Sequence, residues 1–332
     1  MKHSNISIFI PHLGCPNQCS FCNQQTITGQ QDTPTVKQVE QLLQRAILLL
    51  KRPPEETEIA FFGGSFTAID YNYMCELLEL AQSCVKQYHL KGIRISTRPD
   101  YIDKKVLSCL KRYGVTSIEL GAQSMDNRVL SANHRGHTKE QVIAACGQIR
   151  SDGFELGLQM MVGLYQDTPE ISLQTAREIL RLQPDTVRIY PTVVLENTCL
   201  AKWYQQGIYH PMSLETAVEI CAQMLWMFYQ AGISVIKCGL HASEDITSQM
   251  VAGIYHPAFR ELCESYLYLM LAKKQLSMLS VKGPVTLFVN PTAISKMIGQ
   301  KRSNLKALEA MLNYPITVRE KSSLSLYEIS IS

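Results

Sequence analysis

Cys15, Cys19 and Cys22 stand in a C-x3-C-x2-C arrangement, Gly14-Cys15-Pro16-Asn17-Gln18-Cys19-Ser20-Phe21-Cys22. Thiolates are soft ligands, and three so close together can each hold one iron of a 4Fe-4S cube. The fourth iron then has no protein ligand, whereas a cluster that only carries electrons takes four. An iron with an open position can bind a small molecule. A structural zinc site is the alternative. It takes four ligands, usually as two separated pairs, and the chain has no second C-x2-C, leaving His3 or His12 as the fourth donor. The chain has eleven cysteines. Cys75, Cys84, Cys109, Cys146, Cys199, Cys221, Cys238 and Cys263 are scattered among apolar neighbours, where a thiol behaves as a small buried hydrophobe. An odd number over this length does not fit the disulfide framework of a small secreted domain.

A loop carrying such ligands needs a rigid support. Ile6, Ile8 and Ile10 alternate in NISIFIP with the period of a half-buried strand, so the cysteines follow directly on a strand end. A helical pattern from Thr35 comes next, with Val39, Leu42, Leu43, Ala46 and Leu50 on one face. Further strands are predicted over Glu58–Phe62, Ile93–Thr97, Ser117–Gly121, Glu155–Val162, Thr186–Val193 and Ile233–Gly239. Helical patterns separate them over Tyr71–Tyr88, Asp103–Tyr113, Thr138–Ser151, Pro169–Gln183 and Leu214–Ala231. Parallel neighbours need crossover connections, so this alternation predicts an α/β fold with a parallel sheet. About six or seven strand-helix units suit a partial (β/α) barrel better than a Rossmann sheet, and barrel sites lie on the loops at the carboxyl ends of strands.

After Gly239 the rhythm changes. Residues 241–280 read as a loop and helices that close the barrel. From 281 a small α+β unit follows: strand Val285–Val289, helix Thr292–Ile298, turn Gly299–Arg302, helix Asn304–Leu312, and strands Ile316–Glu320 and Leu324–Ile331. The expected domains are a barrel over 1–240, a helical connector over 241–280 and a module over 281–332.

With 332 residues, 46% hydrophobic and 18% charged, the chain can bury a sizeable core, which excludes disorder, collagen and charged coiled coil. No apolar stretch reaches membrane-spanning length, and the apolar segment at the start is too short for a signal peptide. A soluble cytoplasmic protein is expected. A net charge of +3 does not by itself argue for nucleic acid. From Val281, however, seven basic residues face three acidic ones, leaving +4 on the tail and −1 on the rest. A polyanion is expected to meet the tail.

Residues two apart on a strand share a face. Glu119, Gly121 and Gln123 fall together, as do Gly157, Gln159, Met161 and Gly163, then Arg188, Tyr190 and Thr192, and Val235, Lys237 and Gly239. Barrel interiors are normally filled by branched apolar side chains, so polar residues recurring near strand ends predict a lined chamber. The alternative is that they face solvent or satisfy one another. Tyr190, Lys237 and Glu119 are the candidate catalytic residues on the substrate side, and His241 and His256 are candidates for closing the chamber.

The cysteine motif resembles that of the radical S-adenosylmethionine (SAM) superfamily. In that family the open iron of a 4Fe-4S cluster binds the amino and carboxylate groups of SAM, and reduction cleaves the sulfonium to a 5′-deoxyadenosyl radical. Five later stretches extend the resemblance: Phe61-Phe62-Gly63-Gly64-Ser65-Phe66-Thr67, Ser96-Thr97-Arg98-Pro99-Asp100-Tyr101, Ile118 to Met125, Asn133-His134-Arg135-Gly136-His137-Thr138, and Ile189 to Val194. With Gly207-Ile208-Tyr209 they are similar to the radical domain of the Elongator catalytic subunit, which modifies wobble uridine in tRNA, over about residues 5–240. The resemblance implies a 4Fe-4S cluster on Cys15, Cys19 and Cys22, SAM, an RNA substrate and a reducing protein such as flavodoxin or ferredoxin. Matching against oxygen-independent coproporphyrinogen III oxidase as well implies Phe21, Gly64, Ser65, Ser96, Gln123, Arg135 and Gln159 around SAM. Gly63 and Gly64 form the glycine pair that meets its amino group. Ser96 stands where both relatives carry Glu, and Gln159 where Asp is common; hydroxyls and amides still hydrogen-bond ribose and carboxylate. The acetyltransferase domain of the Elongator subunit is not expected within these residues.

In the tail, Ile298-Gly299-Gln300-Lys301-Arg302-Ser303-Asn304-Leu305 lies between two helices in a β-α-turn-α-β-β order and resembles a KH domain, whose GxxG loop clamps single-stranded nucleic acid. Gly299, Lys301 and Arg302 are the implied RNA contacts, with Arg302 at the second glycine position. A helical hairpin with a solvated basic face is the alternative. The function expected is a radical SAM enzyme that modifies an RNA base in tRNA or rRNA. The same chemistry on a small molecule such as a porphyrinogen, and an iron-sulfur RNA-binding protein without turnover, are the alternatives.

Overall fold

A computed structural model describes residues 4–10, 15, 18–23, 33–240 and 244–332. His3, His12, Gly14, Pro16, Asn17 and His241 lie outside the described residues. The first strand, β1 (Ser4–Ile10), buries Ile6, Ile8 and Ile10 and exposes Ser7, as its alternation demands. Thereafter strands and helices take turns: α1 (Val36–Leu48), β2 (Thr57–Gly63), α2 (Tyr71–Tyr88), β3 (Gly92–Thr97), α3 (Lys104–Arg112) and β4 (Val115–Gln123). A short α4 (Asn127–Ala132) precedes α5 (Lys139–Ser151), β5 (Glu155–Val162), α6 (Pro169–Leu182) and β6 (Thr186–Pro191). The helices start where side-chain oxygens cap their free N–H groups. Thr35 with Gln38 and Thr138 with Gln141 form capping boxes, and Asp70, Asp103, Asp126 and Thr168 each accept a first-turn N–H.

Seven strands form one parallel sheet in the order β1-β2-β3-β4-β5-β6-β8, where β8 is Ser234–Cys238. Neighbours in sequence are neighbours in space, each reached by a crossover, which gives the partial barrel. β1 and β8 are its unjoined edges. The middle strands are buried on both faces: every residue of β4 except Thr116 is buried.

The expected single strand Thr186–Val193 divides. Parallel pairing with β5 ends at Pro191, and Val193–Leu195 forms β7, paired antiparallel with β9 (Met250–Gly253). Gly253 sits at φ +108°, and a Cβ there would lie 2.7 Å from the Thr192 carbonyl oxygen, so only glycine lets the strands cross so closely. Between β7 and β9 run α7 (Cys199–Gln205), α8 (Leu214–Gln230), β8 and α9 (Glu244–Gln249), and α10 (Phe259–Leu276) follows. The segment read as a loop before the last helix thus contains a strand.

The tail holds β10 (Val285–Val289), α11 (Ile294–Ile298), α12 (Ser303–Leu312), β11 (Ile316–Glu320) and β12 (Ile329–Ile331) in a mixed sheet ordered β11-β10-β12. The last strand is shorter than the predicted Leu324–Ile331 because Tyr327 takes a left-handed backbone, φ 62°, and turns its polar groups onto α10. Its N–H donates to Tyr268 Oη (2.9 Å) and its hydroxyl to Glu264 Oε1 (3.3 Å). Buried Glu264 also pairs with Arg260 (2.8 Å) and Lys296 (2.5 Å), and Asn304 Nδ2 donates to Ser265 O (2.8 Å). One apolar core runs from the barrel into Val285, Leu287, Met297, Leu308 and Ile329. No helix among the described residues is long and apolar enough to cross a membrane.

Candidate functional site

The carboxyl ends of β2, β3, β4 and β5 converge with the cysteine segment on a cavity of about 390 Å³. Cys15, Cys19 and Cys22 line it together with Gln18 and Phe21. None of the three cysteines is in a disulfide, and burial rises from exposed Cys15 through Cys22 to Cys19. Opposite them lie Gly63 and Gly64, Ser96, Thr97 and Arg98, Gly121 and Gln123, then Arg135 and Gln159. Gly63 takes φ +114° where β2 meets β1, and an added Cβ would sit 2.5 Å from Ile10 O. Gly64 N–H donates to that carbonyl (2.9 Å), so the glycine pair forms a flat wall of backbone.

At the end of β4 the ladder slips by one residue between Gly121 and Gln123, and Gln123 stands at φ 65°. A bulge re-aims the side chain that follows it, and a non-glycine residue held left-handed stores strain that the surroundings must support. Here the aim is into the cavity. Gly121 is needed beneath it: a Cβ would meet Gln123 Nε2 at 3.0 Å and Arg135 Nη2 at 3.3 Å. Arg135 donates to Cys19 Sγ (3.0 Å) and Gly121 O (2.7 Å). Arg98 donates through Nη2 to Arg135 O (2.5 Å) and grips Asp100 in a two-bond fork (2.9 Å each). Burial lowers the proton affinity of Arg98, but Asp100 more than offsets this and leaves it raised. His137, behind Arg135, is held neutral with its pKa down to about 3 by burial and by the Arg135 charge.

Two buried polar atoms on this wall, Gln123 Oε1 and Arg135 Nε, have no hydrogen-bond partner among the described residues. Buried donors and acceptors are rarely left so unless a ligand or water meets them. With three thiols, two glycines and an amide-guanidinium pair around one space, the residues present fit a thiolate-held cluster beside a small zwitterionic ligand.

Below the cavity the barrel interior is closed by charge. Fully buried Arg94 pairs with Glu58 and Glu155 (2.8 Å each) and faces Glu119 at 3.9 Å; Arg188 pairs with Glu119 at 2.8 Å. Burial depresses Arg94 and Arg188 as bases, and the carboxylates, Glu58 and Glu119 foremost, raise them above the ordinary arginine range. Gly157 makes the room: a Cβ there would touch Glu119 Cγ at 3.0 Å. The polar face seen in the sequence therefore divides. Glu119 and Arg188 pair with each other below, and Gly121, Gln123 and Gln159 line the cavity.

This corrects the expectation for Glu119. Its carboxylate is 1% exposed, held by Arg188 and near Arg94, and reaches the cavity only through Gln159, whose Nε2 donates to Glu119 Oε1 and to Ser96 Oγ (3.2 Å). Ser65 is likewise not on the cavity wall. It is fully buried behind the wall, hydrogen-bonded to Thr97 Oγ1 (2.8 Å) and accepting Arg98 N–H (3.3 Å). Tyr190 and Lys237 also lie off the wall. Burial raises the Tyr190 pKa, and Lys237 is depressed by burial and by Arg188. Lys237 lines a separate cavity of about 420 Å³ with Arg260 and Glu264 along the edge strand. The His256 ring accepts Ala258 N–H (3.1 Å) just before α10, a turn-forming role.

The sequence reading quoted Gln18, Thr97 and Arg98 only within motifs, with no role at the site, and put Gly121 on the chamber face; all four line the cavity, and all but Gln18 fall at strand ends, the signal that marks barrel sites. Cys221, Cys238 and Cys263 form a second thiol group, with Sγ atoms within 4.8 Å of one another, buried between α8, β8 and α10. In the tail, Gly299 (φ 77°) leads into Lys301 (φ 50°) and Arg302 (φ 61°), both exposed and both left-handed. A Cβ on Gly299 would meet Ser303 Oγ at 2.6 Å.

The family model described as the Radical SAM superfamily matches residues 9–179, and that of the Radical SAM C-terminal domain matches residues 184–268. Among curated proteins, the chain is similar to a tRNA uridine(34) acetyltransferase of Dehalococcoides mccartyi, 28% identical over 253 residues, covering 66% of this chain and 55% of that protein. It is similar to Elongator complex protein 3 of Homo sapiens, 27% identical over 294 residues, covering 78% and 51% respectively. The chain thus spans about half the length of these relatives. Of solved structures, the archaeal Methanocaldococcus infernus Elp3 with an N-terminal deletion shares the fold, with a TM-score of 0.64 at 22% identity, covering 83% of this chain and 64% of that one.

Proposed function

Because the chain belongs to the radical SAM superfamily of enzymes, we propose that Cys15, Cys19 and Cys22 hold a 4Fe-4S cluster and that the cavity beside them takes SAM, for modification of a base in tRNA or rRNA. The carrying observation is the convergence of these three thiols with Gln123 Oε1 and Arg135 Nε, both buried and without a partner among the described residues, on one cavity of about 390 Å³. When bound and reduced by a low-potential carrier such as flavodoxin or ferredoxin, the cluster and SAM supply a carbon-centred radical able to take hydrogen from an unactivated carbon. The chain's own residues bind, orient and exclude water. The glycine wall at Gly63 and Gly64 admits a ligand to backbone distance, and Arg135 and Gln123 offer a charge-assisted donor and an amide to a carboxylate and an ammonium. Ser96 and Gln159, braced by Glu119, offer hydroxyl and amide groups to a ribose. Phe21 supplies an aromatic face.

The RNA substrate draws support from relatives whose names specify tRNA uridine, and from the exposed basic turn Gly299–Arg302 on a βααββ unit. Left-handed Arg302 holds the backbone form that a second glycine would take with less strain, keeping the turn tight enough for a phosphate to approach.

Anaerobic reconstitution with SAM and a reductant tests the enzyme half. 5′-Deoxyadenosine should form well above the level of a Cys15→Ala, Cys19→Ala, Cys22→Ala variant, and equal yields refute it. Nucleoside mass spectrometry of tRNA and rRNA from a deletion strain tests the RNA half, where an unchanged profile refutes it. Replacing Lys301 and Arg302 by Glu should weaken RNA binding and flatten its salt dependence; unaltered, salt-sensitive binding refutes the turn as the contact.

A further inference from the structure

Ser20 lies between two of the clustered cysteines, and it is fully buried although it belongs to a loop. All its polar groups are engaged by distant parts of the chain. Its N–H donates to Asn133 O (3.1 Å) and its hydroxyl to Asn133 Oδ1 (2.8 Å), while its carbonyl accepts from Leu200 N (2.7 Å) at the start of α7. Asn133 is itself fully buried. Its Nδ2 donates to Val129 O (2.8 Å) and Tyr165 O (2.9 Å), and with both amide hydrogens so used Oδ1 can only face the serine. Two residues on, Arg135 reaches Cys19 Sγ, and His134 between them is held left-handed at φ 55°. The end of α4 and the start of α7 thus meet on one serine, and the loop after β5 meets its asparagine partner.

We propose that Ser20 and Asn133 are a positioning pair that clamps the Cys19–Cys22 segment to the barrel rim and sets how firmly that loop retains an iron-sulfur cluster. The inference rests on the reading of Cys15, Cys19 and Cys22 as cluster ligands. Loop ligands hold a metal well only if their backbone is already in place, and outer contacts do that work in metal sites generally. Removing the Ser20 hydroxyl leaves Asn133 Oδ1 buried without a donor, a loss that converts to about a tenfold change in an equilibrium or rate.

The test uses the full chain, reconstituted without oxygen, as Ser20→Ala, Asn133→Ala and the double variant, with Leu308→Ala in α12 as a core change remote from the loop. Iron per chain, the three-iron signal in electron paramagnetic resonance, and bleaching by a chelator are read alongside the melting temperature of the cluster-free protein. Both single variants should bleach about tenfold faster than the parent, the double variant no faster than either, and Leu308→Ala at the parental rate despite its lower melting temperature. Bleaching at the parental rate in the single variants overturns the clamp, as does matching loss in Leu308→Ala. If Asn133→Ala does not fold, Ser20→Ala decides alone. A parent chain that takes up no cluster removes the ligand reading and the clamp together; a loaded parent with equally loaded variants removes the clamp only.

Discussion

Glu119→Gln isolates the charge that joins the floor of the barrel to its cavity. The glutamine keeps the shape of the side chain and an acceptor for Gln159, and removes the anion 2.8 Å from Arg188 Nε. Arg188 is then a buried cation left beside neutral groups, the Tyr190 hydroxyl and the Phe62 ring, the latter 5.1 Å from its guanidinium carbon. Leaving one partner of a buried pair uncompensated costs about 3–5 kcal/mol. Arg94 stays paired with Glu58 and Glu155, so the cost falls on Arg188. The reverse change is milder. Arg188→Met keeps an apolar contact with Phe62, and Glu119 still faces Arg94 Nη1 at 3.9 Å, so about 1–3 kcal/mol is expected. The double variant should be more stable than Glu119→Gln alone, because methionine removes the stranded cation. Urea unfolding of the cluster-free chain measures all four corners of the cycle. With a slope of about 3 kcal/mol/M, Glu119→Gln should lower the midpoint by about 1 M or more, and adding Arg188→Met should restore part of it. A Glu119→Gln midpoint within about 0.3 M of the parent, or a double variant weaker than both singles, refutes the reasoning.

Asp167 accepts Gly163 N–H (2.9 Å) and the Ser172 hydroxyl (2.5 Å) on Oδ2, while Oδ1 is buried without a partner and burial pushes its pKa up to about 6. A carboxyl raised by folding favours the fold while protonated, and that contribution is lost as pH rises through about 6. Asp167→Asn should therefore be the more heat-stable protein at pH 8, by about 1–3 kcal/mol, and equal to the parent near pH 4; a difference that does not change with pH would show the carboxyl is not titrating there. Gly63→Ala forces a side chain into φ +114° and a 2.5 Å contact with Ile10 O, so β1 should separate from β2 at its cavity end. Hydrogen exchange of β1 amides should accelerate and the melting temperature fall by several degrees, corresponding to about 2–4 kcal/mol; unchanged protection of Ile8 and Ile10 would contradict this.

What the sequence made legible follows the range of the interactions. The cysteine spacing could be read because its three donors lie within one loop. The parallel sheet could be read because strand and helix periods alternate and crossovers leave few topologies. Parity along β4, β5 and β6 identified the polar interior face, but parity carries no height, so it could not tell that Glu119 is spent on Arg188 while Gln123, four residues along, opens to the cavity. Gln123 was found through its motif; the bulge that aims it was not, because a slip of one residue appears only when both strands are in place. The β7–β9 pair and the Ser20–Asn133 bonds join positions far apart in the chain, the latter 113 residues apart, and no local pattern signals either. Tyr190 and Lys237 were chosen on face alone, and the structure sets them outside the cysteine-lined cavity.

The ties gathered at Glu264 bear on how this architecture can be inherited. Rhythm alone would place a seam near residue 281, but the carboxylate on α10 receives Lys296 and Tyr327 from beyond that seam, and Tyr268 is capped by the backbone of Tyr327. A chain ending there would keep a buried anion with Arg260 as its remaining counter-ion and uncover an aromatic surface to water. Recombination that exchanges tails between such proteins must therefore carry α10 along with them, so the unit that moves begins at the helix behind the last barrel strand rather than at residue 281.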